Sequence, residues 1–304
     1  MLTKEIIKKI RRIEITTSRL VTDAFAGQYH SVFKGHGMEF DEVREYIPGD
    51  DIRDIDWNVT ARTGVAHIKK YVEERELTVM LLVDASLSCH FASTQTLKNR
   101  LAAEIAAVLA FSAIRNNDKV GLIFFTDRIE KFLPPRKGVN NVLRLIREIL
   151  YFQPQNTRTN IGGALEFLSK VTTRRCVAFL ISDFIDNDVP IVRANGEEPP
   201  FRRPLLIANK RHDLIAVTLN DPREMELPDC GLVRLQDAEN GQTHILDTSN
   251  RALRERYRQN YLQAMARRNR LFRLTGVDHI DVHTDQPYMQ ELIKFFAQRK
   301  RRFH

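Results

Sequence analysis

Apolar runs and amphipathic segments alternate along the chain from residue 77 to its end. The apolar runs predict strands at 77–83, 120–125, 176–181, 214–219 and 277–282. The amphipathic segments predict helices at 98–114, 139–150, 161–171, 205–210, 250–274 and 288–300. Strands that alternate with helices in this way predict an α/β domain with a doubly wound, mainly parallel sheet and helices on both faces.

The first 76 residues follow a different pattern. Isoleucine, leucine and valine at helical spacing predict an amphipathic helix over about 3–25. The stretch 27–57 has little regular period, but it is too rich in aromatic and aliphatic residues for a disordered linker. We therefore expect an irregular N-terminal extension packed on the main domain, with a strand at 65–72. The predicted organisation is a helix and extension over 1–76 and an α/β domain with C-terminal helices over 77–304.

Composition and cysteine usage narrow the class of protein. The chain has 304 residues, of which 43% are hydrophobic and 28% charged, as is typical of soluble globular proteins. Its apolar runs fall short of the ~20 residues that span a bilayer, and its N-terminus lacks the apolar core of a signal peptide. Three distant cysteines, Cys89, Cys176 and Cys230, favour reduced thiols over disulfides or a zinc cluster. We expect a cytoplasmic protein.

Positive charge is concentrated near the C-terminus. The formal net charge is +8, and residues 251–304 alone hold thirteen Lys and Arg against five Asp and Glu. Such a segment fits an acidic partner or a peripheral contact with a membrane, and equally a solvated helix face. Nucleic acid is disfavoured because the segment lacks interleaved aromatic residues and a recognisable reader motif.

Side chains that carry oxygen follow two of the predicted strands and precede one helix. Asp84, Ser86 and Ser88 come directly after the first strand of the α/β domain, Asp183 follows a later strand, and Thr159 precedes a helix. Parallel strands bring their carboxyl ends to one edge of a sheet, where ligands bind. Carboxylates brought together there repel one another unless a cation neutralises them. These hard oxygens predict a site for Mg²⁺ or another divalent cation.

Three segments carry a resemblance to a known domain. D-A-S-L-S at 84–88, T-R-T-N-I-G-G-A-L at 157–165 and L-I-S-D-F at 180–184 resemble the metal-ion-dependent adhesion site of von Willebrand factor A domains. The resemblance implies a von Willebrand A-like fold and a bound Mg²⁺, Mn²⁺ or Ca²⁺. It implies direct metal contacts from Ser86, Ser88 and Thr159, direct or water-mediated contacts from Asp84 and Asp183, and a further position filled by a partner's carboxylate.

A second resemblance covers most of the chain, from about residue 27 to residue 296. The segment R-E-Y-I-P-G-D-D-I-R-D-I-D-W-N-V-T-A-R-T-G at 44–64 is similar to the signature of the bacterial "domain of unknown function fifty-eight" family. The stretches D-P-R-E-M-E-L-P at 221–228 and V-D-H-I-D-V-H-T-D at 277–285 also look like family features. This resemblance implies association with MoxR-type AAA+ ATPases.

Two hypotheses for function follow from these observations. The first is a non-enzymatic interaction module, a partner or adaptor of a MoxR-type ATPase in the assembly or maturation of protein complexes. It would grip an Asp or Glu of the ATPase, or of the substrate delivered to it, through the metal. The alternative is a metal-dependent hydrolase of phosphate esters, with Asp127 or His90 as general base, although the chain has no phosphate-cradling P-loop.

Structural roles remain open for the same residues. Asp84, Ser86 and Ser88 could cap a helix, as could Thr159 or Asn160. Four acids interleaved with arginines could form a second metal centre, but an internal ion-pair network is the favoured interpretation: Asp50, Asp51, Asp54 and Asp56 with Arg44, Arg53 and Arg62.

Overall fold

The computed structural model describes residues 29, 37–74, 77–90, 97–156, 158–185, 199–236 and 243–302. The chain divides into two compact units. Phe33–Leu77 form the smaller unit, and Thr78–His304 with Met1–Val32 form the larger one. The helix predicted over 3–25 lies outside the described residues.

The smaller unit is built on two antiparallel strands, β1 (Gly37–Glu45) and β2 (His67–Glu74). The sequence predicted a strand close to β2 but an irregular segment where β1 lies. A bulge between Phe40 and Glu42 shifts the register of β1. Because a bulge resets the alternation of side chains between the two faces, β1 shows no continuous two-residue period in its sequence.

A short helix, α1 (Trp57–Thr63), connects the two strands. Its N-terminus is capped by Asp56, whose carboxylate accepts the backbone N–H groups of Val59 and Asn58, and these hydrogen bonds lower the pKa of Asp56. Gly64 ends the helix in the left-handed region, at φ 76°.

Two of the arginines of the smaller unit pair with nearby acids. Arg44 binds Asp50 through two nitrogen atoms, at 2.9 and 2.7 Å, and Arg53 lies 3.4 Å from Asp51. With Asp56 capping α1, these contacts favour the ion-pair interpretation over a second metal centre.

The larger unit contains a six-stranded sheet and a separate hairpin. In chain order its strands are β3 (Thr78–Asp84), β4 (Lys119–Phe125), β5 (Ile129–Arg136), β6 (Val177–Ser182), β7 (Asp213–Asn220), β8 (Leu232–Gln236), β9 (Thr243–Asp247) and β10 (Asp278–His283). The sheet has the order β10-β7-β6-β3-β4-β5, and its neighbours are parallel except β4 and β5. The predicted mainly parallel sheet is therefore confirmed. The sequence missed the antiparallel edge strand β5, which contains two prolines, and the hairpin β8–β9.

Helices cover both faces of this sheet. They are α2 (Lys98–Arg115), α3 (Val139–Tyr151), α4 (Ile161–Val171), α5 (Arg202–Arg211), α6 (Pro222–Met225), α7 (Arg251–Thr275) and α8 (Tyr288–Arg302). Met80 and Leu82 of β3 share a buried cluster with α4, α5 and α7. Val83, which alternation places on the opposite face, shares a cavity wall with Ala102 of α2 and Ile149 of α3. Burial on both faces explains why β3 is a continuous apolar run, and the doubly wound prediction is confirmed.

Within the described residues, no helix is both long and apolar enough to cross a membrane.

A buried cysteine and histidine lie at the amino end of the sheet. Cys176 precedes β6, and its Sγ lies 3.3 Å from Nδ1 of His212, whose Nε2 lies 3.3 Å from Oγ1 of Thr172. Burial raises the pKa of Cys176 to about 12 and lowers the pKa of His212 to about 4. The pair is thus a neutral part of the core, because a reactive cysteine needs a lowered pKa.

Another buried polar contact fastens the C-terminal helix. Arg299 of α8 is 5% exposed and pairs with Asp213 and, at 3.4 Å, with Asp278. These acids are the first residues of β7 and β10. Arg302, one turn further along, also pairs with Asp278, but its side chain is 66% exposed.

We expect Arg299→Ala to lower the free energy of unfolding by about 3–5 kcal/mol, because it leaves two acids without their buried cation. Arg302→Ala is the matched control and should change it by less than about 1 kcal/mol. Urea unfolding measures the stability of both variants. Equal losses of stability would contradict the prediction that the buried Arg299 contributes more than the exposed Arg302.

The buried imidazole predicts a pH dependence of stability. The folded pKa of His212 lies below the unfolded value near 6.5, so protonation favours the unfolded chain. His212 should therefore stabilise the fold fully above about pH 6.5 and progressively less as the pH falls towards about 4. We expect wild type to lose more stability than His212→Gln between about pH 7 and pH 4.5 in urea unfolding. The exposed His244 provides the control, since His244→Gln should follow the wild-type curve.

Candidate metal-ion site

Two acids are buried at the carboxyl ends of neighbouring parallel strands. Asp84 is the last residue of β3, and Asp183 directly follows β6; they are 3% and 4% exposed. Ser182 donates a hydrogen bond from Oγ to Oδ2 of Asp84 at 2.6 Å, and the backbone N–H of Ser86 donates to Oδ1 at 2.9 Å. The Asp84 carboxylate is thus fixed in position on both of its oxygens.

The environment of Asp84 disfavours its negative charge. Burial raises the pKa of its carboxyl, and the nearby charge of Asp183 raises it further. A cation placed between such groups would favour the ionised form, so the electrostatics suit a positively charged ligand.

The two serines predicted as ligands lie together. A 3-10 turn, Leu87–His90, follows β3, and Oγ of Ser86 lies 2.9 Å from Oγ of Ser88. Ser86 is fully buried and Ser88 is half-buried. The turn therefore brings both hydroxyl groups to the same edge as Asp84.

Backbone hydrogen bonds to the end of β4 place Thr159 near this edge. The backbone N–H of Asn160 donates to the carbonyl of Thr126, just after β4, while that of Ala85 donates to the carbonyl of Phe125. The segments that carry Asp84 and Thr159 thus dock on consecutive residues of one strand end.

The hydroxyl group of Thr159 has the environment that a metal-binding oxygen would have. Thr159 is 2% exposed, and among the described residues its Oγ1 has no hydrogen-bond partner. Helix α4 is capped by Asn160, whose Oδ1 accepts the N–H of Gly163 at 2.7 Å, so capping does not occupy Thr159. A buried hydroxyl without a partner costs about 1–3 kcal/mol, which a bound cation would offset.

A buried lysine that the sequence did not single out completes the cluster. Nζ of Lys98 lies 3.2 Å from Oδ2 of Asp183 and 2.5 Å from Oε1 of Glu224, and the lysine side chain is 0% exposed. Neither partner is near Lys98 in the sequence. A lysine at the start of an amphipathic helix has the pattern of a solvated charge, so no sequence signal distinguished it.

Glu224 is held in place by its own short helix. Asp221 and Glu224 form a capping box at the start of α6, in which the N–H of Asp221 donates to Oε2 of Glu224. Asp221 in turn accepts a hydrogen bond from Oγ1 of Thr284 at 2.9 Å. Burial raises the pKa of Glu224, and the ammonium of Lys98 acts against that shift.

We define the carboxylate cluster as three acids and the lysine among them: Asp84, Asp183, Glu224 and Lys98. The charges of this cluster do not balance. Three carboxylates and one ammonium leave a formal charge of −2 when all four groups are ionised. Within the described part of the chain, no three His, Cys, Asp or Glu side chains converge as a metal-binding group. The donors at the edge are carboxylates and hydroxyls, which suit Mg²⁺ better than zinc.

Asp127, one of the two candidates for a general base, makes no contact with this cluster among the described residues. Asp127 is exposed, and its Oδ1 accepts a hydrogen bond from Oγ1 of Thr126 at 3.2 Å. His90 and Cys89 lie in the 3-10 turn after β3, but their side chains are outside the described part of the structure.

The comparisons with known proteins agree with the signature at 44–64. The family model described as "Protein of unknown function DUF58" matches residues 42–267. Uncharacterized proteins of Mycobacterium tuberculosis and Mycobacterium bovis are each 31% identical over 294 residues, covering 96% of this chain and 89% of each relative.

Solved structures show a more distant likeness. The conserved hypothetical protein BatB from Bacteroides thetaiotaomicron has 14% identity and a TM-score of 0.47, over 74% of this chain and 99% of that one. Proximal thread matrix protein 1 from the mussel byssus, solved with a zinc-occupied MIDAS motif, has 15% identity and a TM-score of 0.35, over 48% of this chain and 38% of that one. From its family match and its relatives, the chain belongs to the DUF58 family of proteins of unknown function.

Proposed function

We propose that this protein is a non-enzymatic interaction module that binds a divalent cation and uses it to grip a carboxylate of a partner protein. The residues assigned to the cation are Asp84, Ser86, Ser88, Thr159 and Asp183. The observation that carries the proposal is the pair of buried acids beside a buried hydroxyl that has no partner among the described residues.

The chemistry of the edge supports recognition through a cation. A bound Mg²⁺ would neutralise the cluster and retain a coordination position for one more oxygen. Asp84 is already fixed by Ser182 and by the N–H of Ser86, so its orientation requires no rearrangement. One Asp or Glu of a partner could fill that position and form a strong, directional contact.

The partner we propose is a MoxR-type AAA+ ATPase, or the substrate delivered to it. The support is membership in the DUF58 family together with the resemblance of 44–64 to the family signature. The protein would then act as a cytoplasmic adaptor in the assembly or maturation of protein complexes.

Hydrolysis of phosphate esters is the alternative function, and it needs a general base beside the metal. The base candidate Asp127 is exposed and already accepts a hydrogen bond. Activity of the purified protein on phosphate esters with Mg²⁺ or Mn²⁺ would favour the hydrolase.

The basic C-terminal segment is partly neutralised within the fold. Of its thirteen Lys and Arg residues, at least six form ion pairs with described acids: Arg254, Arg258, Arg268, Lys294, Arg299 and Arg302. This pairing favours a structural and solvated role over a surface for membranes or nucleic acid.

We expect Asp84→Ala to abolish Mg²⁺ binding in calorimetry and to abolish capture of the partner ATPase, while circular dichroism shows that the fold persists. The physical reason is the loss of a fixed carboxylate from the cluster. Asp127→Ala, at the end of the adjacent strand β4, is the control and should keep both properties.

The same capture experiment in EDTA tests the role of the ion itself. Partner affinity that is unchanged in EDTA would exclude a grip through the cation, even if Asp84→Ala has an effect.

The variant Thr159→Val tests whether the hydroxyl group of Thr159 is a metal ligand or a structural group. Because Oγ1 of Thr159 has no partner among the described residues, its removal should leave the metal-free protein equally stable or more stable, by up to about 1–3 kcal/mol. Mg²⁺ affinity should fall about tenfold or more. Ser182→Ala is the contrasting variant, since it breaks the hydrogen bond to Asp84 and should destabilise the metal-free protein. Equal effects of the two variants in urea unfolding would contradict the assignment of Thr159.

A further inference from the structure

Lys98 occupies a position that is unfavourable for a lysine on two counts. Its side chain is 0% exposed, and lysine is almost never fully buried unless it is paired. It is also the first residue of α2, where the helix dipole disfavours positive charge. A buried lysine in this position therefore depends on the neighbouring acids, Asp183 and Glu224, to offset both costs.

The two acids that Lys98 contacts belong to different parts of the site. Asp183 is assigned to the divalent cation, and Oδ2 of Asp183 is the oxygen that Lys98 approaches at 3.2 Å. Glu224 lies on α6 and makes the shorter contact, at 2.5 Å. Lys98 therefore bridges a proposed metal ligand and a carboxylate that the proposal does not assign to the metal.

We propose that Lys98 is a tethered counter-ion of this site. It neutralises Asp183 when no divalent cation is bound, and it thereby weakens metal binding. This inference rests on the proposed function. The ammonium and a divalent cation would use the same carboxylate, and two positive charges a few ångströms apart in a buried site repel each other strongly.

Glu224 makes such competition reversible. When Lys98 leaves Oδ2 of Asp183, its ammonium keeps the contact with Glu224, whose carboxylate is held by the N–H of Asp221. The lysine thus moves between sharing two acids and pairing with one, and it stays paired in both states. Without Glu224, release of Asp183 would leave a buried ammonium unpaired, at a large cost.

The test is the affinity for Mg²⁺, measured by calorimetry on the full chain. Lys98→Met keeps the apolar stem and removes the ammonium, so we expect Mg²⁺ to bind at least tenfold more tightly than to wild type. Lys294→Met is the matched control: it makes the same change at a side chain that is 63% exposed, and affinity should stay within about twofold.

A double variant distinguishes competition for the Asp183 carboxylate from a general effect of the charge of the cluster. Lys98→Met alone takes the cluster from a formal charge of −2 to −3, whereas Lys98→Met with Glu224→Gln restores −2. Tighter binding that persists in the double variant supports competition for Asp183. A return to wild-type affinity overturns it, because the gain would then be a general effect of charge.

The other outcomes are also decisive. If Lys98→Met binds Mg²⁺ equally or more weakly, while Asp84→Ala abolishes binding, the counter-ion role fails and the metal site stands. If neither wild type nor Lys98→Met binds Mg²⁺ or Mn²⁺, both proposals fail. If the single and double variants fail to fold even in saturating Mg²⁺, the counter-ion role fails, because a competitor of the ion is dispensable once the ion is bound.

Discussion

The burial of two carboxyl groups at the ends of adjacent strands is the constraint around which the rest of the site is arranged. Asp84 and Asp183 are both nearly inaccessible to water, and the pKa of Asp84 is raised by that burial and by its neighbour. A charged carboxylate out of water needs hydrogen bonds or a cation. Ser182, the N–H of Ser86 and the ammonium of Lys98 each supply part of that requirement.

The topology explains why residues from distant parts of the chain meet at this point. Parallel pairing of β3 with β6 aligns Val83 with Ile181, so the residues that follow them emerge side by side. The hydrogen bond from Asn160 to the carbonyl of Thr126 brings in Thr159, and the capping box of α6 brings in Glu224. Backbone hydrogen bonds thus position the segments that carry these groups, and side-chain contacts from Ser182 and Lys98 then orient the acids.

The sequence indicated the buried acids at this edge of the sheet but not the lysine that contacts one of them. Asp84 and Asp183 follow buried apolar strands, a pattern visible in the chain, and the bounds of β3 and α4 were predicted to within a residue or matched outright. Lys98 and Glu224 meet only through tertiary packing across 126 residues, and neither interrupts a local period. The β1 strand was missed because its bulge breaks the alternation on which prediction of a half-buried strand depends.

The presence of Lys98 bears on whether a metal here would be structural or functional. A structural ion supplies the charge without which a domain does not fold, as in small zinc proteins. In this sheet the core is formed by fully buried strands and by helices on both faces, and one ammonium already lies among the acids. On the proposed function, a divalent ion at this edge would add to a core that these contacts already form, and it would lie beside a hydroxyl group with no partner among the described residues. Such an ion is better suited to reversible recognition than to architecture.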